Sequence, residues 1–254
     1  IIFNILLHDI TKGHYLKIFR SFIYMNKLEE LRKELRKLAS PEKAKVYARF
    51  FKTGKGQYGE GDIFLGLTVP EQRESAKKYI DLSLEEVKEL LYSKYHEHRL
   101  TGLFILVYKY ENNPSNEIIE FYIQHKHRGN NWDLIDCVAD KLLGKHLEKK
   151  DKAILYELAK SQSLWDRRIA IISTFHFIKN NQFRDTLKIS EILLQDKHDL
   201  IQKAVGWMLR EVGKKDEKTL INFLNKHYKQ MPRTMLRYAI ERFDEKYKQK
   251  YLMK

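Results

Sequence analysis

Three segments of this chain align on one another without gaps: "HEHRLTGLFIL" (96–106), "WDRRIAIISTF" (165–175) and "LIQKAVGWMLR" (200–210). Their starts lie 69 and 35 residues apart, two periods and one period of about 35 residues. A unit of that length holds two helices and a turn, and it cannot bury its apolar face alone. Stacked units can. Arg99, Arg168 and Lys203 fall in register, so a cation recurs at one position of the repeat. The pattern predicts an all-α chain: a right-handed α-solenoid of HEAT-like helix pairs, with a concave basic groove suited to an extended ligand.

Local periodicity agrees with this. Apolar residues recur at helical spacing at Leu28, Leu31, Leu35 and Leu38, at Leu84, Val87, Leu90 and Leu91, at Leu103, Leu106 and Val107, and at Ile118, Ile119 and Tyr122. The helical segments end in polar breaks such as "ENNPSN", "KNNQ" and "GKKDE", and no strand alternation or hairpin signal appears. Only "KTGKGQYGEGDIFLGLTVPEQR" (52–73) is glycine-rich. It reads as one longer loop with Pro70 in the first turn of the next helix. Residues 25–254 read as a single repeat domain. Residues 1–24 read as an N-terminal extension, because Met25 is followed at once by the amphipathic "NKLEELRKELRKLA" and looks like the natural start. The opening apolar run is broken by Asn4, His8 and Asp9, too short for a membrane span and without the basic start of a signal peptide.

A formal net charge of +14 makes a polyanion the leading partner, nucleic acid before membrane. The charge is uneven: residues 214–254 carry twelve Lys/Arg against five Asp/Glu, and residues 27–55 carry ten against four. One cysteine, Cys137, excludes an internal disulfide and fits a reducing cytoplasm, with nucleoid association in a prokaryote. No phosphate-binding Gly-Lys-Ser/Thr loop, serine-hydrolase elbow or His-Glu-x-x-His zinc signature occurs. The His-x-His pairs, His96/His98 and His125/His127, would point their rings apart on a helix, so no metal and no cofactor is expected.

The three tryptophans each stand within four residues of a charge on the same helical face: Trp132 with Asp136, Trp165 with Arg168, and Trp207 with Lys203 and Arg210. Packing is the commoner fate of a helical indole. Together, however, they suggest an aromatic and charged patch able to stack on a sugar or base and to attract a cation.

The stretches "YGEGDIFLGLTVPEQR" (58–73), "HEHR" (96–99), "NNWDLID" (130–136), "LWDRR" (164–168) and "IQKAVGWMLRE" (201–211) occur in an order that resembles the AlkD-like family of DNA alkylation repair glycosylases with HEAT-like repeats. The likeness runs from about Leu28 to about Tyr251. It implies a monofunctional, monomeric DNA glycosylase that acts in base excision repair on duplex DNA, releasing cationic purines such as 3-methyladenine and 7-methylguanine. Matched motif by motif, it implies Asp136, Trp132 and Trp207 as catalytic residues around the lesion's deoxyribose and Arg168 as a DNA contact. Lys203 and Arg210 are candidate contacts to the backbone. An aromatic residue precedes the first Trp in some members; Asn131 stands there here. For Arg168 the alternative is an ion pair to Asp166 or Asp136 within the stack, and Asp133 is expected on the other side of its helix. Two further functions remain open: a non-catalytic HEAT-repeat protein that binds nucleic acid, and a protein–protein scaffold.

Overall fold

The computed structural model describes residues 27–253, and among them the regular elements are helices, with no strand. The expected extension at 1–24 and the start at Met25 lie outside the described residues. Two compact units divide the chain, one ending at Asn112 and the other beginning at Asn113. No helix among the described residues is long and apolar enough to cross a membrane.

In the first unit the helices are α1 (27–37), α2 (Pro41–Phe50), α3 (Val69–Lys78), α4 (Leu84–Leu91) and α5 (His96–Asn112). The leucine spacing of α1 buries Leu28, Leu31 and Leu35, whereas Leu38, just past the helix end, is exposed. Helix α4 begins with a reciprocal cap, Ser83 with Glu86, and at the start of α3 Glu71 accepts the Thr68 N–H at 2.6 Å, which satisfies N–H groups that the first turn leaves without partners. Pro70 sits in the first turn of α3, where its missing N–H costs nothing. Both helices pack on α5.

The glycine-rich loop is tied down by one buried carboxylate. Glu97, 1% exposed, accepts backbone N–H bonds from Leu65 (2.9 Å), Gly66 (2.7 Å) and Leu67 (3.3 Å). Gly66 has φ +89°, and a Cβ there would stand 2.2 Å from the Ser40 carbonyl oxygen, so only glycine fits. Asp62 in the same loop pairs with His96 (2.9 Å) and Arg99 (2.7 Å) at the start of α5. His98 turns elsewhere, its Nδ1 lying 3.0 Å from Ser93 Oγ, so the two rings of this His-x-His pair serve different neighbours.

Burial, helped by the charges of Arg32 and Arg36, pushes the His98 imidazole down from 6.5 to about 4. Between those values the unfolded chain binds a proton that the folded chain does not, so stability falls as pH falls through this window. The loss is expected to reach roughly 3 kcal/mol. Urea titrations of wild type and His98→Gln from pH 7 to 4 check it. The variant should lose the slope that this window shows in the wild type.

The second unit runs α6 (Asn116–His125), a 3-10 turn (Lys126–Arg128), α7 (Trp132–Asp136), a π-helical turn (Asp140–Gly144), α8 (Ala153–Ala159), α9 (Leu164–Lys179), α10 (Arg184–Ile192), α11 (Asp199–Lys215), α12 (Glu217–His227), α13 (Arg233–Ala239) and α14 (Glu245–Leu252). Helices α9, α11 and α13 pack side by side, while α8, α10 and α12 contact them from the neighbouring layer, with α8 also touching α10. The 35-residue repeat is visible in the backbone: α9 begins at Leu164 and α11 at Leu164 plus 35, Asp199, with the caps Ser163 and His198 at the same interval. Apolar residues of α9 and α11, among them Ile169, Ile171, Ile172, Val205, Met208 and Leu209, form the core between them. Close packing reaches the π-turn, where a Cβ on Gly144 would stand 2.3 Å from the Ser173 carbonyl oxygen.

Candidate active site

Helix α7 is only five residues long, and its start is set by Asn131, whose side chain accepts the Trp132 N–H at 2.9 Å. Asn131 is fully buried. The position before Trp132 is therefore used as a helix cap, which a residue without a side-chain acceptor cannot supply. Leu134 and Ile135 anchor the helix in the core, which leaves Trp132 and Asp136 half-buried one turn apart.

Asp136 is held by Arg168 across 32 residues of sequence. Arg168 Nε donates to Asp136 Oδ1 at 2.8 Å and Nη2 donates to Oδ2 at 2.6 Å, a two-pronged pairing that fixes the plane of the carboxylate. Arg168 Nη1 donates to the Leu200 carbonyl oxygen at the start of α11. One guanidinium thus joins α7, α9 and α11. Its side chain is 6% exposed and that of Asp136 is 13% exposed. Of its five N–H donors, three are used in these bonds and two are left.

Burial raises the Asp136 carboxyl above the usual aspartate value; Arg168 works against that rise, and the nearby Asp133 and Asp140 carboxylates add to it. Asp133, expected on the other side of α7, is buried, 6% exposed, and its charge is felt at Asp136. Asp140, one turn beyond Asp136, is neutralised by Lys141 (3.2 Å) and Lys179 (2.7 Å).

The neighbouring residues of "WDRR" make parallel ties. Asp166 takes Lys126 at 2.5 Å and the Ser161 hydroxyl at 3.0 Å. Arg167 Nε donates to Asp196 at 2.6 Å. Of the two partners considered for Arg168, Asp136 is the one observed. Trp165 is half-buried beside these ties.

Trp207 lies on α11 two turns beyond Leu200, about 10 Å along the axis from the carbonyl that Arg168 holds. Its Nε1–H donates to Glu211 at 3.2 Å, and its ring stands 5.9 Å from that of Phe175. Phe175 is two turns along α9 from Arg168 and shares its face, so spacing alone could have found it. Lys179, the Asp140 partner, lies 4.2 Å over the Phe175 ring.

The two candidate backbone contacts differ. Lys203 is 39% exposed and pairs with Asp199 at 2.7 Å. Arg210 is 18% exposed and is engaged by Glu211 at 3.5 Å and by Glu241. The aligned cations Arg99, Arg168 and Lys203 all pair with an aspartate, but only Asp136 combines a deep pairing with an opening to solvent and an indole one turn away. Among the described residues no group of three His, Cys, Asp or Glu side chains could hold a metal ion.

Comparison with known proteins relates the chain to a family and to a solved structure. The model of the family described as DNA alkylation repair enzyme matches residues 31–243. The fold is similar to the solved structure of a "Predicted DNA alkylation repair enzyme from Enterococcus faecalis", with a TM-score of 0.67 at 15% identity over 82% of this chain and 97% of that one. Comparison with curated proteins finds no match.

Proposed function

Because the chain belongs to the DNA alkylation repair enzyme family, we propose that it hydrolyses the N-glycosidic bond of cationic alkylated purines in duplex DNA, releasing bases of the 3-methyladenine and 7-methylguanine type. The observation that carries this reading is the Asp136–Arg168 pair: a carboxylate 13% exposed, its plane fixed by two bonds of 2.6 and 2.8 Å, with Trp132 one turn away.

Hydrolysis of an ordinary glycoside uses two carboxyl groups, one to protonate the leaving group. A purine alkylated on a ring nitrogen is already cationic and departs neutral, so that proton is not needed and one carboxylate suffices. Asp136 would stabilise the positive charge that moves onto the sugar and orient the attacking water. Trp132 and Trp207 would add cation–π attraction to the same charge, about 0.5–2 kcal/mol each. Arg168 opposes the rise that burial imposes on the Asp136 carboxyl, and its two remaining N–H donors can take a DNA phosphate beside the lesion. Lys203 and Arg210 would contact the backbone farther along α11.

The Arg99–Asp62 pair favours one other reading. That pair ties the first unit together with both side chains almost wholly buried, 3% and 4% exposed. If Asp136–Arg168 were only another such tie, the chain would be a non-catalytic nucleic-acid-binding protein. Chromatography of the soluble fraction after incubation with methylated duplex DNA separates the two readings. Free 3-methyladenine and 7-methylguanine should appear with abasic sites in equal number, while a neutral base such as hypoxanthine in the same duplex stays in place. Release no faster than spontaneous depurination would leave only the binding reading.

A further inference from the structure

The loop before α9 and the loop before α11 enclose an open cleft of about 560 Å³. The two loops are the same part of successive repeats, 35 residues apart, with Ser163 and His198 as the corresponding caps. Each wall contributes one exposed lysine, Lys160 from the first loop and Lys197 from the second, and neither is held in an ion pair among the described residues. Each wall also contributes one exposed amide, Gln162 and Gln195.

The floor is built rather than incidental. Arg167 Nε donates to Asp196 at 2.6 Å, and Nη1 donates to the Ser161 and Gln162 carbonyl oxygens at 3.0 and 2.9 Å, which braces the first loop against the second. Both hydrogens on Arg167 Nη2 are left over. Asp196, the one acid in the lining, is engaged twice, by Arg167 and by the His198 backbone N–H at 2.8 Å. His198 Nδ1 accepts the Leu200 N–H at 3.2 Å, which leaves the ring's hydrogen on Nε2, and burial pushes the imidazole's pKa down. What the cleft offers is thus two free cations and several unused donors, with its only carboxylate already occupied. An oxyanion suits that lining and a cation does not.

Its position points to the anion. His198 caps Leu200, and the Leu200 carbonyl is the group that Arg168 holds while it grips Asp136. Arg167 and Arg168 are adjacent on α9. The cleft and the candidate carboxylate are therefore tied to the same two places, the first turn of α9 and the start of α11.

We infer that this cleft is a phosphodiester subsite, in which Lys160 and Lys197 grip the DNA backbone on either side of a strand that runs past Asp136. The inference rests on the reading of the protein as one that works on duplex DNA, and it concerns binding rather than bond cleavage. A phosphate neutralised by lysine releases condensed counterions, so each contact contributes about 0.9 to the slope of log affinity against log salt. Gripping phosphates fixes register on the duplex without reading its sequence.

The test uses undamaged duplex, which needs no catalysis. Affinity of the full-length protein is measured by fluorescence anisotropy from about 50 to about 200 mM sodium chloride. The double variant Lys160→Gln/Lys197→Gln should bind with a slope shallower by roughly 0.9 for each phosphate lost, at an unchanged melting temperature, because both side chains are exposed. A control variant, Lys149→Gln/Lys188→Gln, removes the same charge from exposed sites outside the cleft and should keep the wild-type slope. An unchanged slope in the first variant, or an equal change in the control, overturns the inference while leaving base release, measured separately, to judge the enzyme. No binding of duplex by the wild type overturns both. In a second arm, inorganic phosphate replaces chloride at constant ionic strength and should not displace DNA from the wild type. Saturable binding of inorganic phosphate to the wild type without DNA, lost in the double variant, would make the cleft a site for the free ion and overturn the backbone assignment.

Discussion

Arg168→Ala is expected to lower the free energy of unfolding by about 3–5 kcal/mol and to stop base release near neutral pH. The first effect follows from what the guanidinium leaves behind: a carboxylate only 13% exposed loses both of its bonds, and the Leu200 carbonyl oxygen loses a donor. Removing one partner of a buried pair costs far more than the pair contributes when whole, because the remaining charge stays out of water. The second effect follows from the same burial. Arg168 is what opposes the upward push on the Asp136 carboxyl, and without it the group protonates more readily and cannot stabilise a cationic sugar.

Two measurements separate these effects. Urea unfolding gives the stability, and base release measured from pH 6 to 9 gives the function. The variant should regain part of its activity as pH rises and Asp136 ionises, a trend that a merely unfolded protein would not show. The companion variant Asp136→Leu/Arg168→Met replaces the pair with apolar groups of similar size. It should recover most of the stability and none of the activity. Activity in this double variant would mean that the pair serves the stack and not the reaction.

Much of the fold is legible in the chain because helices announce themselves through spacing. Leu28, Leu31 and Leu35 recur at helical intervals and are buried, and "GKKDE" marks a break that Asp216 fills as the cap of α12. The 35-residue interval between "WDRRIAIISTF" and "LIQKAVGWMLR" reappears as the interval between the starts of α9 and α11. The site is legible only in part. Trp132 and Asp136 share a short helix, as their spacing suggests, but nothing local says that Asn131 would cap it from a buried position. The Arg168–Asp136 bond joins residues 32 apart, and periodicity within a helix could name Asp136 and Asp166 as partners for Arg168 without choosing between them. Asp133 shows the same limit: its place one residue after Trp132 assigns it to another side of the helix, but spacing does not say that this side is buried as well. The cleft between the two loops is invisible in the chain, since Lys160 and Lys197 hold non-equivalent positions of the repeat and meet only when the loops are stacked.

The central claim is that Asp136 acts on the reaction through its charge. Asp136→Asn keeps the size of the side chain and an oxygen for Arg168 to bond, while removing the negative charge that a forming oxocarbenium ion would meet. Losing one such stabilising group costs on the order of 10²–10³ in rate. Affinity for duplex should stay near that of the wild type, because the carboxylate gives no attraction to phosphate, and circular dichroism with urea unfolding confirms that the variant is folded. The direct measurement is single-turnover release of 7-methylguanine from methylated duplex at saturating protein, wild type beside Asp136→Asn. A drop of about 10²–10³ in the folded, DNA-bound variant is the predicted result; equal rates of release by the two proteins would contradict it.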